Sequence, residues 1–391
     1  MTEHLADHVI SWASILEKKT REQAVIASGM PFIYPHIALM PDAHLGKGAT
    51  VGSVIPTLGA IMPAAVGVDI GCGMIAVRTQ WTEDDVRAAG PLRRLREDIE
   101  SRVPVSAGQY NTALTASAER RVKELEEKAE RAGFDPDTYA ANWRLQLGTL
   151  GSGNHFLELS IDEEGAAWMF LHSGSRGVGN RIAQHHIKVA QAAMKKWWIT
   201  LPDPDLAYLV EGTPEFWTYI RELRWAQDFA AANREEMMDR ALAALEQHMG
   251  QSVVEQDRVN CHHNFTEQER HFGKEVWVSR KGAIKADVGD AGLIPGSMGT
   301  ASYVVVGKGN RLSLNSSPHG AGRNYSRAAA RRTFSHEQLR EAMVGIEYRD
   351  TDAFIDEIPA AYKDIDQVMA DAADLVEIRH TLRQIVNVKG D

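Results

Sequence analysis

The chain has 391 residues, 44% of them apolar and 25% charged, with 43 Lys and Arg against 53 Asp and Glu for a formal net charge of −10. This ordinary globular composition excludes a disordered, collagen-like or membrane-embedded chain. The acidic total excludes a broad cationic coat for nucleic acid, although a local basic patch stays open.

The N-terminal run Met1-Thr2-Glu3-His4-Leu5-Ala6-Asp7 lacks the cationic start and apolar core of a secretory signal. The most apolar stretch, Ala60 to Val68, is broken by Pro63 and falls far short of the ~20 residues of a spanning helix. Two cysteines, Cys72 and Cys261, cannot make a disulfide framework. A cytoplasmic protein with no membrane association is expected. A strand is predicted over Ala65–Arg78. Ala116–Arg131 reads as a charged helix, with Gly133 placed to cap it. Further strands are predicted at Trp168–His172, Glu275–Ser279 and Ala301–Val306, rich in β-branched or aromatic residues. Pro202-Asp203-Pro204 marks a turn, and Arg221–Met249 repeats apolar residues at helical spacing up to Gly250. Ser335 with Gln338 makes a capping box. Strands and helices do not alternate, which argues against a doubly wound sheet. The expectation is an α+β fold, a single mixed-sheet domain over 1–391 with a helical block at about 180–250.

Glycine-dense, histidine-bearing strings recur at 40–75, 147–180, 280–325 and 387–390, so one site built from them draws on the whole chain. In Val66-Gly67-Val68-Asp69-Ile70-Gly71-Cys72-Gly73, a tight turn can aim Asp69 and Cys72 at one spot, and both are anionic metal ligands. Alone, a buried free cysteine is the commoner explanation. His44, His155, His172 and His319, and the cluster Asn260-Cys261-His262-His263-Asn264, sit in similar settings. Any lone histidine is usually structural, but five in glycine-rich loops shift the odds towards a site. His4, His8, His185, His186, His248 and His336 lie mainly in solvated stretches and receive no role. The segment Gly292 to Ser302 offers backbone N–H groups and hydroxyls for an anion, with Arg176, Arg280, Lys281, Arg323 and Lys389 as cations that suit phosphates. It is neither a Walker A string nor a dinucleotide fingerprint.

Taken together, MPDAHLGKGATVGSVIPT, VGVDIGCGM, LGTLGSGNHFLEL, LHSGSRGVGN, CHHNF, SRKGA, LIPGSMGTASY, HGAGR, EIPAAYKDID and NVKG resemble, in order and over roughly residues 30–391, the RtcB family of RNA ligases. The resemblance implies a GTP- and manganese-dependent enzyme that joins RNA 3′-phosphate or 2′,3′-cyclic phosphate ends to 5′-hydroxyl ends. It implies two Mn²⁺ ions on Asp69, Cys72, His155, His172 and His263, with Cys72 bridging. It makes His319 the guanylylated nucleophile and Asp42 the carboxylate that orients it. Guanine-nucleotide contacts fall on Asn154, His155, Phe156, Leu157, Glu158, His263, Asn264, Pro295, Gly296, Ser297, Met298, Ser302, His319, Gly320, Ala321, Gly322, Tyr362 and Lys389. Manganese is inherited from the family, since a Cys/His-rich set prefers zinc or cobalt by affinity alone. The partners implied are RNA and an activating helper protein.

Arg176, Arg280 and Lys281 are the expected contacts to RNA phosphates. One position departs from the family pattern. Pro318 precedes His319 where familiar members carry Ser or Cys, and a fixed φ with no N–H is expected to alter how His319 is presented. Two rival readings use the same ligands. A metal-dependent cyclic-phosphate phosphohydrolase would leave the guanine contacts idle. A non-catalytic RNA-binding paralogue predicts loss of His319 or Cys72, and both are present.

Overall fold

The computed structural model describes residues 2–391. The architecture is α+β, built on two sheets. The first has six strands in the order Glu3–Ala6, Val9–Ser11, Ile37–His44, Val51–Thr57, Lys274–Lys281, Asn264–His271. The second has seven, in the order Asp257–His262, Gly73–Thr82, Ala166–Ser173, Phe156–Ile161, Val376–Lys389, Ser302–Gly307, Ala291–Ile294. Strands from opposite ends of the chain are neighbours, so residues near 75, 160, 260 and 388 are brought together.

The two-residue period of a strand explains the layering. In Gly73–Thr82, Met74 and Ala76 enter a core shared with Ala38, Met40 and Val54 of the first sheet. Ile75 and Val77 enter a second core on the opposite face, against Met237, Ala241 and Leu245 of the long helix Pro214–Met249. With both faces covered, these strands read as nearly continuous apolar runs. The same alternation turns Phe156 and Glu158 to the inner face, and Leu157 and Leu159 to the helix-covered face.

The expected helices form. Ala116–Ala132 ends at Gly133 and Pro214–Met249 ends at Gly250, each glycine in the left-handed conformation of a C-cap. The long helix begins seven residues before the apolar repeat does, at Pro214 behind the N-cap Thr213. The Ser335/Gln338 capping box closes reciprocally. The predicted strand Ala65–Arg78 is corrected to Gly73–Thr82. Its first part is a 3₁₀ turn, Pro63–Ala65, followed by turns in which Gly67 and Gly71 take positive φ, a geometry that no sheet ladder accepts. No helix among the described residues is long and apolar enough to cross a membrane.

Candidate active site

The inner ends of both sheets open into a cavity of ≈ 360 Å³. Register fixes its floor. Met74, His172, Phe156 and Lys389 stand opposite one another across four adjacent strands, with Glu158 opposite Asn387 in the next row of the same face. Cys72 and His263 enter from the turns flanking the pairing of Asp257–His262 with Gly73–Thr82, where the His263 N–H donates to the Cys72 carbonyl. In Cys261-His262-His263 only His263 faces the cavity. His262 turns away and places Nδ1 2.8 Å from the Gly71 carbonyl.

Five side chains converge at the floor. Cys72 Sγ lies 3.5 Å from His155 Nε2 and 3.4 Å from His172 Nε2. His172 Nε2 is 2.9 Å from His263 Nε2, and Asp69 Oδ2 is 3.3 Å from His155 Nε2. They form two triads that share the thiol, Asp69–Cys72–His155 and Cys72–His172–His263. Each imidazole is fixed from behind, His155 through Nδ1 to the Leu150 carbonyl at 3.0 Å, His172 to the Asn154 carbonyl at 3.1 Å and His263 to Asn264 Oδ1 at 3.2 Å. A carbonyl only accepts, so Nδ1 carries the proton and Nε2 presents a lone pair. Asp69 is oriented by the N–H and hydroxyl of Ser175. A Cβ on Gly174 would collide with this carboxylate.

This donor set fits divalent cations. Burial and the neighbouring His155 push the His172 imidazole well below its ordinary pKa, and burial with His319 does the same to His263. A proton is therefore not what relieves the two facing Nε2 lone pairs. Burial and the Asp69 charge push the Cys72 thiol well up, so its thiolate also needs a cation beside it. For Asp69, burial acts upward but the His155 and Ser175 contacts prevail, and its carboxyl stays below the usual range, ionised for a metal.

His319 stands on the adjoining wall, its ring centroid 4.6 Å from that of His263. One oxygen of Asp42 takes both its Nδ1 at 2.6 Å and its main-chain N–H at 3.1 Å, which leaves Nε2 for the cavity. Asp42 is fully buried, on the same face of Ile37–His44 as the core residues Ala38 and Met40, and its second oxygen is unpartnered. Pro318 occupies the last position of the short antiparallel pair of Ser316–Pro318 with Ala283–Lys285. Its missing N–H does not loosen His319, which Asp42 holds at two points.

Opposite these two triads, the loop Pro295–Met298 is held by Gln384, which donates to the Ser297 and Thr300 carbonyls at 3.1 Å each. Glu158, 3% exposed, accepts from Ser160 and Ser302, and burial pushes its carboxyl up to about 7. Glu357 gathers the remaining polar groups. It accepts from Tyr362 at 2.5 Å and Arg323 at 3.1 Å, and faces Lys389 Nζ at 3.4 Å.

All the site residues expected from the sequence line this cavity except Asp42, which backs His319, and three corrections. Leu157 is fully buried on the helix-covered face and offers the cavity no side chain. Arg280 is fully buried and paired with Glu269, whose carboxyl it holds down to about 2 against the upward effect of burial, so it is withdrawn from any RNA phosphate. Arg176 spends its guanidinium on Thr149 Oγ1 and the Leu150 carbonyl, the same carbonyl that anchors His155. Lys281 does reach the cavity wall, but its ammonium donates to the Lys47 and Ala64 carbonyls.

Sequence reasoning missed Glu357, Asn387, Lys47 and Arg327 in the lining, and two braces behind it. Asn233 ties Gly148, Thr149 and Gly174, and the fully buried Arg234 donates to the Gly71 and Ser173 carbonyls. Their signal was available, since both interrupt the apolar face of the long helix.

Residues 23–390 match the family model described as tRNA-splicing ligase RtcB. The chain is 48% identical to the RNA-splicing ligase RtcB of Escherichia coli K12, over 96% of this chain and 95% of that protein. It is 33% identical to the tRNA-splicing ligase RtcB of Pyrobaculum aerophilum, over 93% and 89%, and to that of Thermococcus kodakarensis, over 90% and 87%. With the motifs spread from Asp42 to Lys389 and gathered on one cavity, the chain belongs to the RtcB family of ligases.

Proposed function

We propose that this RtcB-family ligase uses GTP to join an RNA 3′-phosphate or 2′,3′-cyclic phosphate end to a 5′-hydroxyl end, through GMP carried on His319, with two Mn²⁺ ions in the Asp69–Cys72–His155 and Cys72–His172–His263 triads. The observation that carries the reading is His319 itself. Its Nδ1 is bound to a buried carboxylate, and its Nε2 is left to a cavity that also holds five converging ligands. The whole chain is read as one catalytic domain, because the site takes residues from 42 to 389.

Asp42 keeps the proton on Nδ1, so Nε2 attacks the α-phosphorus of GTP as a neutral nucleophile, and Asp42 balances the charge that develops on the ring. The N–P bond forms as the bond to the departing pyrophosphate breaks. A 2′,3′-cyclic end is first opened by water, which breaks the P–O2′ bond; the RNA 3′-phosphate then displaces His319 from GMP, and the 5′-hydroxyl displaces GMP to seal the strand. When bound, two divalent cations neutralise the triphosphate and stabilise pyrophosphate departure. Glu158, ionised, accepts from the guanine edge, and Ser297, Tyr362 and Lys389 line the nucleotide half of the cavity. A hydrolase that only opened cyclic phosphates would have no use for this second half.

The test supplies purified protein with Mn²⁺, a 3′-phosphate RNA, a 5′-hydroxyl RNA and either GTP or ATP. Joined product with GTP alone supports the proposal. Product with ATP alone, or joining of 3′-hydroxyl to 5′-phosphate ends instead, contradicts it.

A further inference from the structure

The helix Arg176–Lys196 starts beside Asp69, its 21 residues spanning ~30 Å. Its buried face is Ile182, Ala183, Ile187, Ala190 and Met194. Arg181, Lys188 and Lys195 recur every seven residues on the exposed face, which keeps them in one stripe. No Asp or Glu occurs between Glu164 and Asp203, although the chain as a whole is acidic. No carboxylate among the described residues pairs with Lys188, Lys195 or Lys196.

At the far end the chain does something costly. Ile199 N–H donates to the Met194 carbonyl and Trp198 N–H to that of Lys195, the hydrogen-bond pair of a Schellman cap. The left-handed position of that cap, normally glycine, holds Trp198 at φ 57. Trp198 is also 94% exposed, the most exposed large apolar side chain among the described residues, and Trp197 beside it is 40% exposed. A bulky ring is thus held in a strained backbone position, with no packing gained in return. Strain kept at the surface without compensation points to use.

We propose that Trp197, Trp198, Lys195 and Lys196, with the stripe leading back through Lys188, form a second RNA-binding surface that holds the substrate strand at the far end of this helix, outside the cavity. Exposed rings flanked by unpaired cations are the composition of a single-strand platform, in which bases stack on the aromatics and phosphates meet the cations. The bare cations favour a polyanion, and the RNA of the proposed reaction is the polyanion this chain handles. The proposal rests on the RNA-ligase reading, but concerns a surface that reading does not use.

Fluorescence anisotropy with labelled 3′-phosphate RNAs of about 20 and about 4 nucleotides tests it, the shorter being unable to span the helix. Trp198→Gly restores the usual cap residue, so it is expected to leave the thermal midpoint equal or higher while weakening the long RNA about tenfold and the short one not at all. Lys195→Gln with Lys196→Gln is expected to lower the salt slope of long-RNA binding by ~0.7 per lysine, with GMP labelling by GTP unchanged. Unchanged long-RNA affinity in both variants overturns the proposal, as does an equal loss for both lengths. If the wild type binds neither RNA, the RNA-ligase reading itself fails. If it binds both equally, only this second surface does.

Discussion

His155 and His172 give their Nδ1 protons to main-chain carbonyls, whereas His319 gives its proton to the buried carboxylate of Asp42. The rings sit within one cavity and are chemically alike, yet the acceptor behind each differs, and with it the role proposed for Nε2. A carbonyl fixes tautomer and direction without adding charge, which suits a neutral metal ligand. A carboxylate also stabilises positive charge on the ring, which a nucleophile acquires as it attacks. The two kinds of histidine also come from different parts of the fold. The ligands stand at the inner ends of the seven-stranded sheet, and the Asp42–His319 pair comes from the six-stranded sheet and a short adjoining pair of strands.

The comparison can be broken at either half. Asp42→Asn leaves the shape but removes the charge and permits the wrong tautomer. GMP transfer to His319 is expected to fall by ~10³–10⁴ in rate with metal content unchanged, as read by single-turnover labelling and metal analysis. An unaffected rate would show that the carboxylate is only a strut. Cys72→Ala acts on the other half. It removes the ligand common to both triads and is expected to weaken metal binding by more than ~100-fold by titration. Metal bound as tightly as in the wild type would mean that the thiol is mere packing.

Smaller effects sharpen the nucleotide side. Burial pushes the Glu158 carboxyl up to about 7, and only its ionised form accepts from guanine with both oxygens. GTP affinity should therefore rise as pH is raised from 6 to 8. Glu158→Gln should cost about tenfold in affinity at pH 8 and flatten that profile, since an amide does not titrate. A wild-type profile already flat over this range would remove Glu158 from guanine recognition. Pro318→Ser is expected to change the labelling rate by less than about threefold, because Asp42, not residue 318, holds His319. A tenfold gain would mean that proline does restrain the nucleophile.

Local rules carried much of the fold. The periodicity of Ala116–Ala132 and the long helix, with their glycine caps, and the Ser335/Gln338 box are readable residue by residue. Among the strands that build the site, Trp168–His172 and Ala301–Val306 are readable too, but two others are not. Phe156–Ile161 carries Glu158, and Ile37–His44 carries Asp42, so buried polar residues that serve the site interrupt the apolar signal. Their pairing is also non-local, residue 388 against 157 and 259 against 76, which no window of sequence reveals. Most residues that line the cavity were legible through their ordered motifs. What those motifs lacked was burial. It withdrew Arg280, spent Arg176 on Leu150 and turned Leu157 to the wrong face, each a matter of which side of a strand or loop is covered.

On this proposal carboxylate-backed His319, and none of the carbonyl-backed histidines, becomes covalently attached to GMP. Intact-protein mass spectrometry after incubation with GTP and Mn²⁺, beside an ATP control and the His319→Ala variant, tests it directly. One GMP added to the wild type with GTP only, and none to His319→Ala with its metal still bound, is the predicted result. A GMP adduct retained in His319→Ala, or no adduct on metal-loaded wild type, would contradict it.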